Sequence, residues 1–252
     1  MTLLHLDNLT VLRKSCPVVD QVSCTITEGE FVGLIGPNGA GKTTLMRAAL
    51  GLLRHEGHSS LSDMTASARA HHAAWMPQAR EIAWPVDVET LVALGRIPHL
   101  PRGARIRDTD RAAIDAALAQ MGLDTYRHRV ATRLSGGEQA RVLIARMLAQ
   151  ETPLLIADEP IAGLDPANQI TTMRLFAELA EGGRTVVASL HDLGLAARHC
   201  TRLLLLNKGQ LVADGPPDEV LKPENISAVF GVSAFFRRTD QGIVFQPLET
   251  LE

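Results

Sequence analysis

The sequence of 252 residues contains no apolar run close to the roughly 20 residues that cross a bilayer, so a membrane-spanning chain is not expected. Its three cysteines are odd in number and widely spaced, which favours reduced thiols over a disulfide framework. The 25 basic residues do not exceed the 28 acidic ones, which argues against a chain that coats nucleic acid or anionic lipid. The first residues lack the basic and apolar regions of a secretory signal. These absences predict a soluble cytoplasmic protein.

What the sequence does contain is an alternation of short apolar runs and helical patterns, which indicates an α/β fold. Four apolar runs without in/out alternation predict buried strands of a parallel sheet covered on both faces. These runs are residues 30–35, 153–157, 185–189 and 202–206. Residues 3–27 alternate more and predict antiparallel strands at an edge.

Helical patterns occur at two places in the sequence. One helix is predicted from the glycine-rich turn after Ile35 through about Leu53. The others lie between Val86 and Gln150, and we interpret this stretch as a helical insertion. Its predicted helices are residues 88–94, 108–121 and 138–149. The tail from Ile226 predicts a terminal hairpin with its turn at Asp240-Gln241-Gly242.

A phosphate-binding loop is predicted between the first buried strand and the first helix. Its residues match G-x-x-x-x-G-K-[ST] and are Gly36, Pro37, Asn38, Gly39, Ala40, Gly41, Lys42, Thr43 and Thr44. Glycines let backbone N–H groups converge on phosphate oxygens, and the helix N-terminus adds donors and a positive dipole. Lys42 supplies a charge for the β and γ phosphates, and the Thr43 hydroxyl is a Mg²⁺ ligand. The alternative is a glycine turn with an incidental lysine, which the combination of pattern and context disfavours.

Two carboxylates follow the apolar run at residues 153–157. Asp158 is placed to bind Mg²⁺ directly or through water, and Glu159 to polarise the attacking water as a general base. Pro160 ends the strand and keeps both carboxylates at its C-terminal edge, where open α/β sheets bind ligands. An acidic pair of this kind is common by itself, but beside a phosphate loop it predicts a nucleotide site.

A second candidate anion site is Leu134-Ser135-Gly136-Gly137-Glu138, where Ser135, Gly136 and Gly137 precede a predicted helix. Alone, these residues could be only a capped helix start. They are, however, similar to the LSGGE signature motif of the nucleotide-binding subunit of ABC transporters, and the resemblance covers essentially the whole chain. It implies an α/β fold of the P-loop NTPase (RecA-like) type with an antiparallel β edge subdomain and a helical insertion. In one nucleotide-binding domain, the core would comprise about residues 1–83 and 151–252, and the helical subdomain about 84–150.

Further motifs of this family occur in the same order. Gln78 resembles the Q-loop glutamine, which would touch Mg²⁺ or the attacking water and sense the membrane partner. Asp165, in Gly163-Leu164-Asp165, resembles the D-loop aspartate that communicates between subunits. His191 resembles the switch histidine that contacts the γ-phosphate. Each residue alone has an ordinary alternative, a solvated or structural side chain.

One position departs from the family pattern. The aromatic residue that usually stacks on adenine would fall near Arg13. A guanidinium plane is able to stack on the base, and a solvated arginine is an equal alternative. The preference for ATP over GTP is open on this ground.

The resemblance implies a head-to-tail homodimer that holds two ATP molecules, each between Lys42 of one subunit and Ser135 of the other. Such a pair is a C₂ arrangement that uses the same surface twice. It also implies transmembrane permease subunits as partners, a periplasmic or extracellular substrate-binding protein as an indirect partner, and a peripheral location at the cytoplasmic face of the inner membrane. Nucleic acid is not an expected partner.

The segment from Val88 to His99 is similar to one found in ATPases of iron-chelate, haem and cobalamin importers. We therefore expect an importer ATPase for an iron-siderophore, haem or cobalamin, with siderophore slightly favoured. A zinc/manganese importer is the closest alternative, and an exporter is harder to exclude because the permease sets the direction. A soluble ABC ATPase without a membrane partner is a further alternative. It is disfavoured because the chain lacks a long coiled-coil insertion or a second nucleotide domain.

Overall fold

A computed structural model describes residues 1–79, 82–101, 103–239 and 242–251. Strands occupy much of this part of the chain. They are, in chain order, β1 (Thr2–Arg13), β2 (Cys16–Thr27), β3 (Phe31–Ile35), β4 (Glu56–Ser59), β5 (Ala73–Met76), β6 (Leu154–Ala157), β7 (Thr185–Ser189), β8 (Arg202–Asn207), β9 (Gln210–Gly215), β10 (Val232–Thr239) and β11 (Gly242–Thr250).

The helices occur between these strands, singly or in succession. They are α1 (Lys42–Ala49), α2 (Ala66–His72), α3 (Val88–Ala93), α4 (Asp108–Gln120), α5 (Gly136–Leu148), α6 (Pro166–Glu181), α7 (Leu193–His199), α8 (Pro217–Val220) and α9 (Pro223–Phe230), with 3₁₀ turns at Leu94–His99, Asp124–Tyr126 and Ala131–Arg133. Contacts divide the chain into two units, residues 1–64 with 173–252, and residues 65–172.

The first unit contains a sheet with strand order β7-β3-β8-β9. β3 is parallel to both of its neighbours, and Leu34 lies opposite Ser189 on one side and Leu204 on the other. Every residue of β3 and β7 is buried, as expected for strands covered on both faces. Phe31 packs edge-on against Phe176 of α6, with ring centroids 5.8 Å apart. The predicted α/β class and the predicted strands of this sheet are confirmed.

The first unit also contains antiparallel structure. β1 pairs antiparallel with β2, as the alternation of residues 3–27 predicts, and its other neighbour is β4. These three strands form a sheet of their own and not an edge of the parallel sheet. β10 and β11 pair antiparallel as the predicted terminal hairpin, with Phe236 opposite Phe245. Two residues of its predicted turn, Asp240 and Gln241, lie outside the described residues.

Helix α1 is shorter than the sequence predicts, because it ends at Ala49 and not near Leu53. Gly51 has a φ of 65°, which ends the helix in a left-handed residue. The N–H of Gly51 donates to the Ala48 carbonyl (2.8 Å), and that of Leu52 to the Arg47 carbonyl (2.8 Å). This pattern is a Schellman motif, so backbone hydrogen bonds alone close the helix.

The second unit contains the parallel pair β5–β6 and the predicted helices α3, α4 and α5, which pack against one another. In the 3₁₀ turn after α3, a Cβ on Gly95 would lie 2.2 Å from the Arg146 carbonyl oxygen of α5, so only glycine fits there. The next residue, Arg96, is 4% exposed. Its guanidinium donates to Asp110 (3.1 Å), the Ala149 carbonyl (2.7 Å) and Glu151 (2.6 Å).

None of the helices formed by the described residues has the length and apolar character that a bilayer crossing requires.

Candidate functional site

The predicted phosphate loop connects β3 to α1 in the first unit. Its three glycines have positive φ, 146° at Gly36, 80° at Gly39 and 102° at Gly41. A Cβ at Gly36 would lie 2.2 Å from the Leu206 carbonyl oxygen, and one at Gly41 would lie 2.6 Å from that of Val18. Neighbouring backbone therefore excludes any side chain at two of the three glycines, and their conformation is one that other L-residues avoid.

Lys42 occupies the first position of α1 and is 7% exposed. Its ammonium donates to the carbonyl oxygens of Gly36 (2.7 Å) and Pro37 (3.1 Å), so it lies across the loop. Thr43 and Thr44 follow in the first turn and are half-buried. A cation beside a helix N-terminus with a glycine cap is an arrangement suited to phosphate.

His191 lies at the same edge of the sheet as the phosphate loop. It follows β7 and the loop follows β3, and these two parallel strands are paired. The N–H of Leu190 donates to the Leu34 carbonyl (3.1 Å), which anchors the chain just before His191. His191 is exposed. The first unit thus brings together two of the sequence-predicted elements.

Arg13 is exposed at the end of β1, where it pairs with Cys16 across the β1–β2 hairpin. The turn residues Lys14 and Ser15 both have positive φ, as in a tight hairpin turn. Val18 of β2 contacts the phosphate loop through its carbonyl, which lies against Gly41. Stacking of Arg13 on a base stays a prediction.

The second unit holds Asp158 and Gln78 after paired strands. β5 and β6 are parallel, and the N–H of Asp158 donates to the Met76 carbonyl (2.9 Å). Asp158 is 1% exposed, whereas Gln78 is exposed. The two side chains therefore follow neighbouring strand ends, as their predicted roles require.

Glu159 is a non-glycine residue with a φ of 50°. This left-handed conformation costs on the order of 1 kcal/mol or more and is concentrated at functional sites. Pro160 follows, and the N–H of Ala162 donates to the Glu159 carbonyl (3.2 Å), which closes a turn. Glu159, the predicted general base, thus lies on a strained turn at the end of β6.

The start of α5 differs from the prediction, because Gly136 and Gly137 lie in its first turn and not before it. Ser135 is the N-cap, and its hydroxyl accepts from the Glu138 N–H (3.3 Å). The Glu138 carboxylate accepts from the Ser135 N–H (2.7 Å) and hydroxyl (2.8 Å). These bonds form a reciprocal capping box, and the Ser135 N–H chiefly lowers the pKa of Glu138.

Asp165 has a similar capping role at the start of α6. Its carboxylate accepts from the Asn168 N–H (2.9 Å), and this bond chiefly lowers the pKa of Asp165. One residue earlier, Leu164 is buried, and its Cδ2 would lie 3.6 Å from a Cβ on Gly137. The second unit therefore places this loop beside the start of α5.

The sequence analysis placed Glu138 in the signature motif but did not predict that its carboxylate caps the helix. The pattern Ser-x-x-Glu from Ser135 to Glu138 is a capping-box signal that the sequence already contained. The predicted residues divide between the units: Arg13, the phosphate loop and His191 belong to the first, and the others to the second.

A family model described as "ABC transporter" matches residues 19–162, more than half of the chain. The chain belongs to the ABC transporter family. Its mixed α/β architecture, with a parallel sheet, an antiparallel β part and helices, is the ABC ATPase fold. The resemblance drawn from the sequence motifs is confirmed.

Similar ABC proteins include relatives named for import or transport. The hemin import ATP-binding protein HmuV of Pseudomonas aeruginosa is 39% identical over 94% of this chain and 95% of its own length. The manganese transport system ATP-binding protein MntB of Halalkalibacterium halodurans is 36% identical over 94% and 96%. The cobalamin import ATP-binding protein BtuD of Halobacterium salinarum is 39% identical over 90% of this chain, which spans only 58% of that relative's length.

Two solved ABC structures are informative. An inward-facing metal-chelate type ABC transporter contains a chain with a TM-score of 0.86 and 28% identity, covering 99% of this chain and 98% of its own. A dimeric ATP-binding cassette bound to ADP and phosphate has a TM-score of 0.74 and 27% identity, covering 85% and 98%.

Proposed function

We propose that this chain binds and hydrolyses ATP as the nucleotide-binding subunit of an importer whose membrane passage is a separate permease. The observation that carries the proposal is the phosphate loop before α1. Gly36 and Gly41 have positive φ, neighbouring backbone excludes side chains at both, and Lys42 lies across the loop. A loop of this kind presents backbone N–H groups and one cation to the phosphates of a nucleotide.

Mg²⁺ is the proposed cofactor. The ligands proposed for it are a hydroxyl at Thr43 of the first unit, and an amide oxygen at Gln78 and a buried carboxylate at Asp158 of the second. Mg²⁺ prefers such oxygen ligands and is usually bound by one or two carboxylates together with substrate phosphates. When bound, it neutralises charge on the phosphate oxygens.

The remaining side chains have distinct proposed roles in hydrolysis. Glu159 accepts a proton from the attacking water, and its strained turn fixes the carboxylate at the strand end. His191 donates a hydrogen bond to the γ-phosphate from the sheet edge that also carries the phosphate loop. Arg13 is proposed to stack on the base from the β1–β2 hairpin.

A head-to-tail homodimer is the proposed working form. Ser135, Gly136 and Gly137 of one copy would contact the nucleotide held by Lys42 of the other, and Asp165 would communicate between the copies. The dimeric ATP-binding cassette with ADP and phosphate supports this arrangement. In this dimer the Ser135 hydroxyl, which here donates a hydrogen bond to Glu138, would have to turn toward a phosphate.

The proposed substrate is a metal chelate, with haem first, then cobalamin or an iron-siderophore. The hemin and cobalamin import relatives support haem and cobalamin, and the metal-chelate type transporter supports the substrate class. The proposed partners are a polytopic permease and, indirectly, a substrate-binding protein, with this chain at the cytoplasmic face of the membrane. A manganese importer is the second candidate, because MntB matches almost its whole length to this chain.

The test is a pull-down of tagged Glu159→Gln protein from detergent-solubilised host membranes with Mg-ATP. Removing only the carboxylate charge is expected to leave ATP binding intact and slow hydrolysis severely, which prolongs the ATP-bound complex. A polytopic permease identified by mass spectrometry supports transport, and its substrate-binding protein is then screened against haem, cobalamin, ferric siderophores and Mn²⁺. Recovery of soluble partners alone, in several detergents, contradicts the transport proposal.

Two control variants accompany that experiment. Lys42→Ala is expected to lose ATP binding or turnover, because it removes the cation of the phosphate loop. Lys222→Ala, at an exposed lysine before α9, is the matched control and should behave as wild type. Normal turnover in Lys42→Ala, or in Glu159→Gln, contradicts the role proposed for that residue.

A further inference from the structure

The C-terminal hairpin formed by β10 and β11 lies outside the residues matched by the family model and has no role in the chemistry above. Its two faces differ in exposure. On β11, Val244 is 43% exposed, whereas its neighbour Phe245 is 7% exposed. One face of the hairpin is therefore packed against the first unit, to which it belongs.

The packed face lies along helix α7. A Cβ on Gly194, in the first turn of α7, would lie 3.3 Å from the Phe245 carbonyl oxygen. At the other end of the helix, a Cβ on Gly242 would lie 3.4 Å from Cγ of Arg198. β11 thus follows α7 along its length, with the strand backbone close to the helix at Gly194.

Helix α7 begins two residues after His191 and has only seven residues. Asp192 is its N-cap and accepts a hydrogen bond from the Leu195 N–H (2.8 Å). Its buried side chains are only those of Ala196 and Ala197. Because so short a helix is marginal by itself, its stability must come from tertiary packing. The alanines contribute little to that packing, and the hairpin supplies a second face.

His191 is therefore fixed from two sides of the chain. Before it, the N–H of Leu190 donates to the Leu34 carbonyl of β3. After it, the chain enters α7, against which β11 packs. Next to His191 is a cavity of about 480 Å³ that His191 and Asp192 line together with Phe230, Phe245 and Gln246. With this space beside it, the His191 loop has room to move if α7 shifts.

We propose that the C-terminal hairpin positions His191: the buried Phe245 side chain fixes β11 in place, the β11 backbone at Phe245 lies against the first turn of α7 at Gly194, and α7 holds the loop that carries the histidine. Phe245 is thus a positioning residue that acts through His191 and does not touch the nucleotide. The inference rests on the proposed ATP hydrolysis, in which His191 contacts the γ-phosphate. Misplacing a catalytic group by about 1 Å is able to cost on the order of a hundredfold in rate.

The first test measures hydrogen–deuterium exchange in the full-length chain at residues 190–197. Phe245→Ala is expected to speed exchange at the Leu195 N–H and its neighbours, while Val244→Ala, on the exposed face of the same strand, is expected to leave it unchanged. Phe245→Leu keeps much of the apolar volume and should keep the protection seen in the wild type. It is also the variant to compare with the wild type if Phe245→Ala folds poorly. Unchanged exchange in Phe245→Ala overturns the proposal, whether or not the chain hydrolyses ATP.

The second test measures kcat and KM for Mg-ATP. Phe245→Ala should lower kcat about tenfold and leave KM unchanged, because the phosphate loop is intact. In a His191→Ala background the same substitution should have no further effect. A KM effect alone, or an equal fall in kcat without His191, overturns the positioning role. If the wild-type chain does not hydrolyse ATP, the proposed function fails, and hydrogen exchange still decides whether the hairpin orders the loop.

Discussion

Helices α1 and α5 both begin at a predicted phosphate-binding segment, but they begin in opposite ways. The N-cap of α1 is Gly41, which has no side chain to cap the helix. The N-cap of α5 is Ser135, which forms a reciprocal capping box with Glu138. The free N–H groups of the first helix turn are therefore offered to an anion at α1. At α5, a phosphate must compete with a carboxylate that the same helix provides.

The C-terminal ends of the two helices repeat this difference. α1 ends in a Schellman motif made of backbone hydrogen bonds at Gly51 and Leu52. Beyond the end of α5, the Ala149 carbonyl accepts from Arg96, and the side chain of Gln150 donates to the Ala70 carbonyl (2.7 Å). One helix is thus delimited by backbone geometry and the other by side chains. The first depends on glycine, and the second on charge.

The largest effect is expected from a substitution at a phosphate-loop glycine that neighbouring backbone crowds. Gly36→Ala places a methyl group 2.2 Å from the Leu206 carbonyl oxygen at a φ that alanine avoids. We expect loss of measurable ATP binding by calorimetry. Gly39→Ala is the control, because the same change meets only open space there and keeps the conformational cost of about 1–2 kcal/mol. Equal ATP affinities in the two variants would remove backbone crowding as the cause.

The second largest effect is expected near the C-terminal end of α5, where side chains form the hydrogen bonds. Arg96→Met removes the guanidinium from the buried carboxylate of Asp110, which should lower the free energy of unfolding by about 3–5 kcal/mol. Denaturant unfolding measures it. The control is Arg111→Met, at an exposed arginine next to Asp110 in helix α4, which should change stability by less than about 0.5 kcal/mol. A small effect for Arg96→Met would show that charge does not hold this region.

The same cluster should make stability depend on pH. The Arg107 N–H, followed by the Arg107 and Arg96 side chains, lowers the pKa of the fully buried Asp110 from 3.8 to about 2. Because the pKa is lower in the folded chain, the stabilisation is complete above about pH 4 and is lost as pH falls toward 2. It amounts to about 2 kcal/mol. The stability difference between wild type and Asp110→Asn should therefore shrink as the pH falls from about 4 to about 2.

The smallest effect is expected at the start of α5. Ser135→Ala removes an N-cap and should cost about 1 kcal/mol of stability, measured by thermal unfolding. Thr132→Ala, at an exposed residue just before the motif, is the control. If Ser135→Ala leaves the unfolding temperature unchanged, the capping box contributes nothing, and the contrast between α1 and α5 fails at this end.

Four of the buried strands were predictable within a residue or two, whereas the four-residue strand β5 was not predicted. The four strands concerned are β3, β6, β7 and β8. Each is a continuous apolar run bounded by polar or glycine residues, a pattern typical of parallel strands that are buried on both faces. The phosphate loop was predictable for a related reason, because its residue types and spacing are what backbone contact with phosphate requires. The roles of the site residues remain predictions.

Other features depended on partners distant in sequence. Arg96 occurs in a segment whose resemblance suggested a substrate class, yet it is a buried ion-pair residue because Asp110 and Ala149 surround it. The close approach of the β11 backbone at Phe245 to the helix after His191 has no local signal either. By itself, the sequence determined four buried strands, the phosphate loop and the family, because periodicity and short motifs act over a few residues. Only tertiary structure decided which charges are buried and which segment supports His191, because those depend on contacts between residues far apart in the chain.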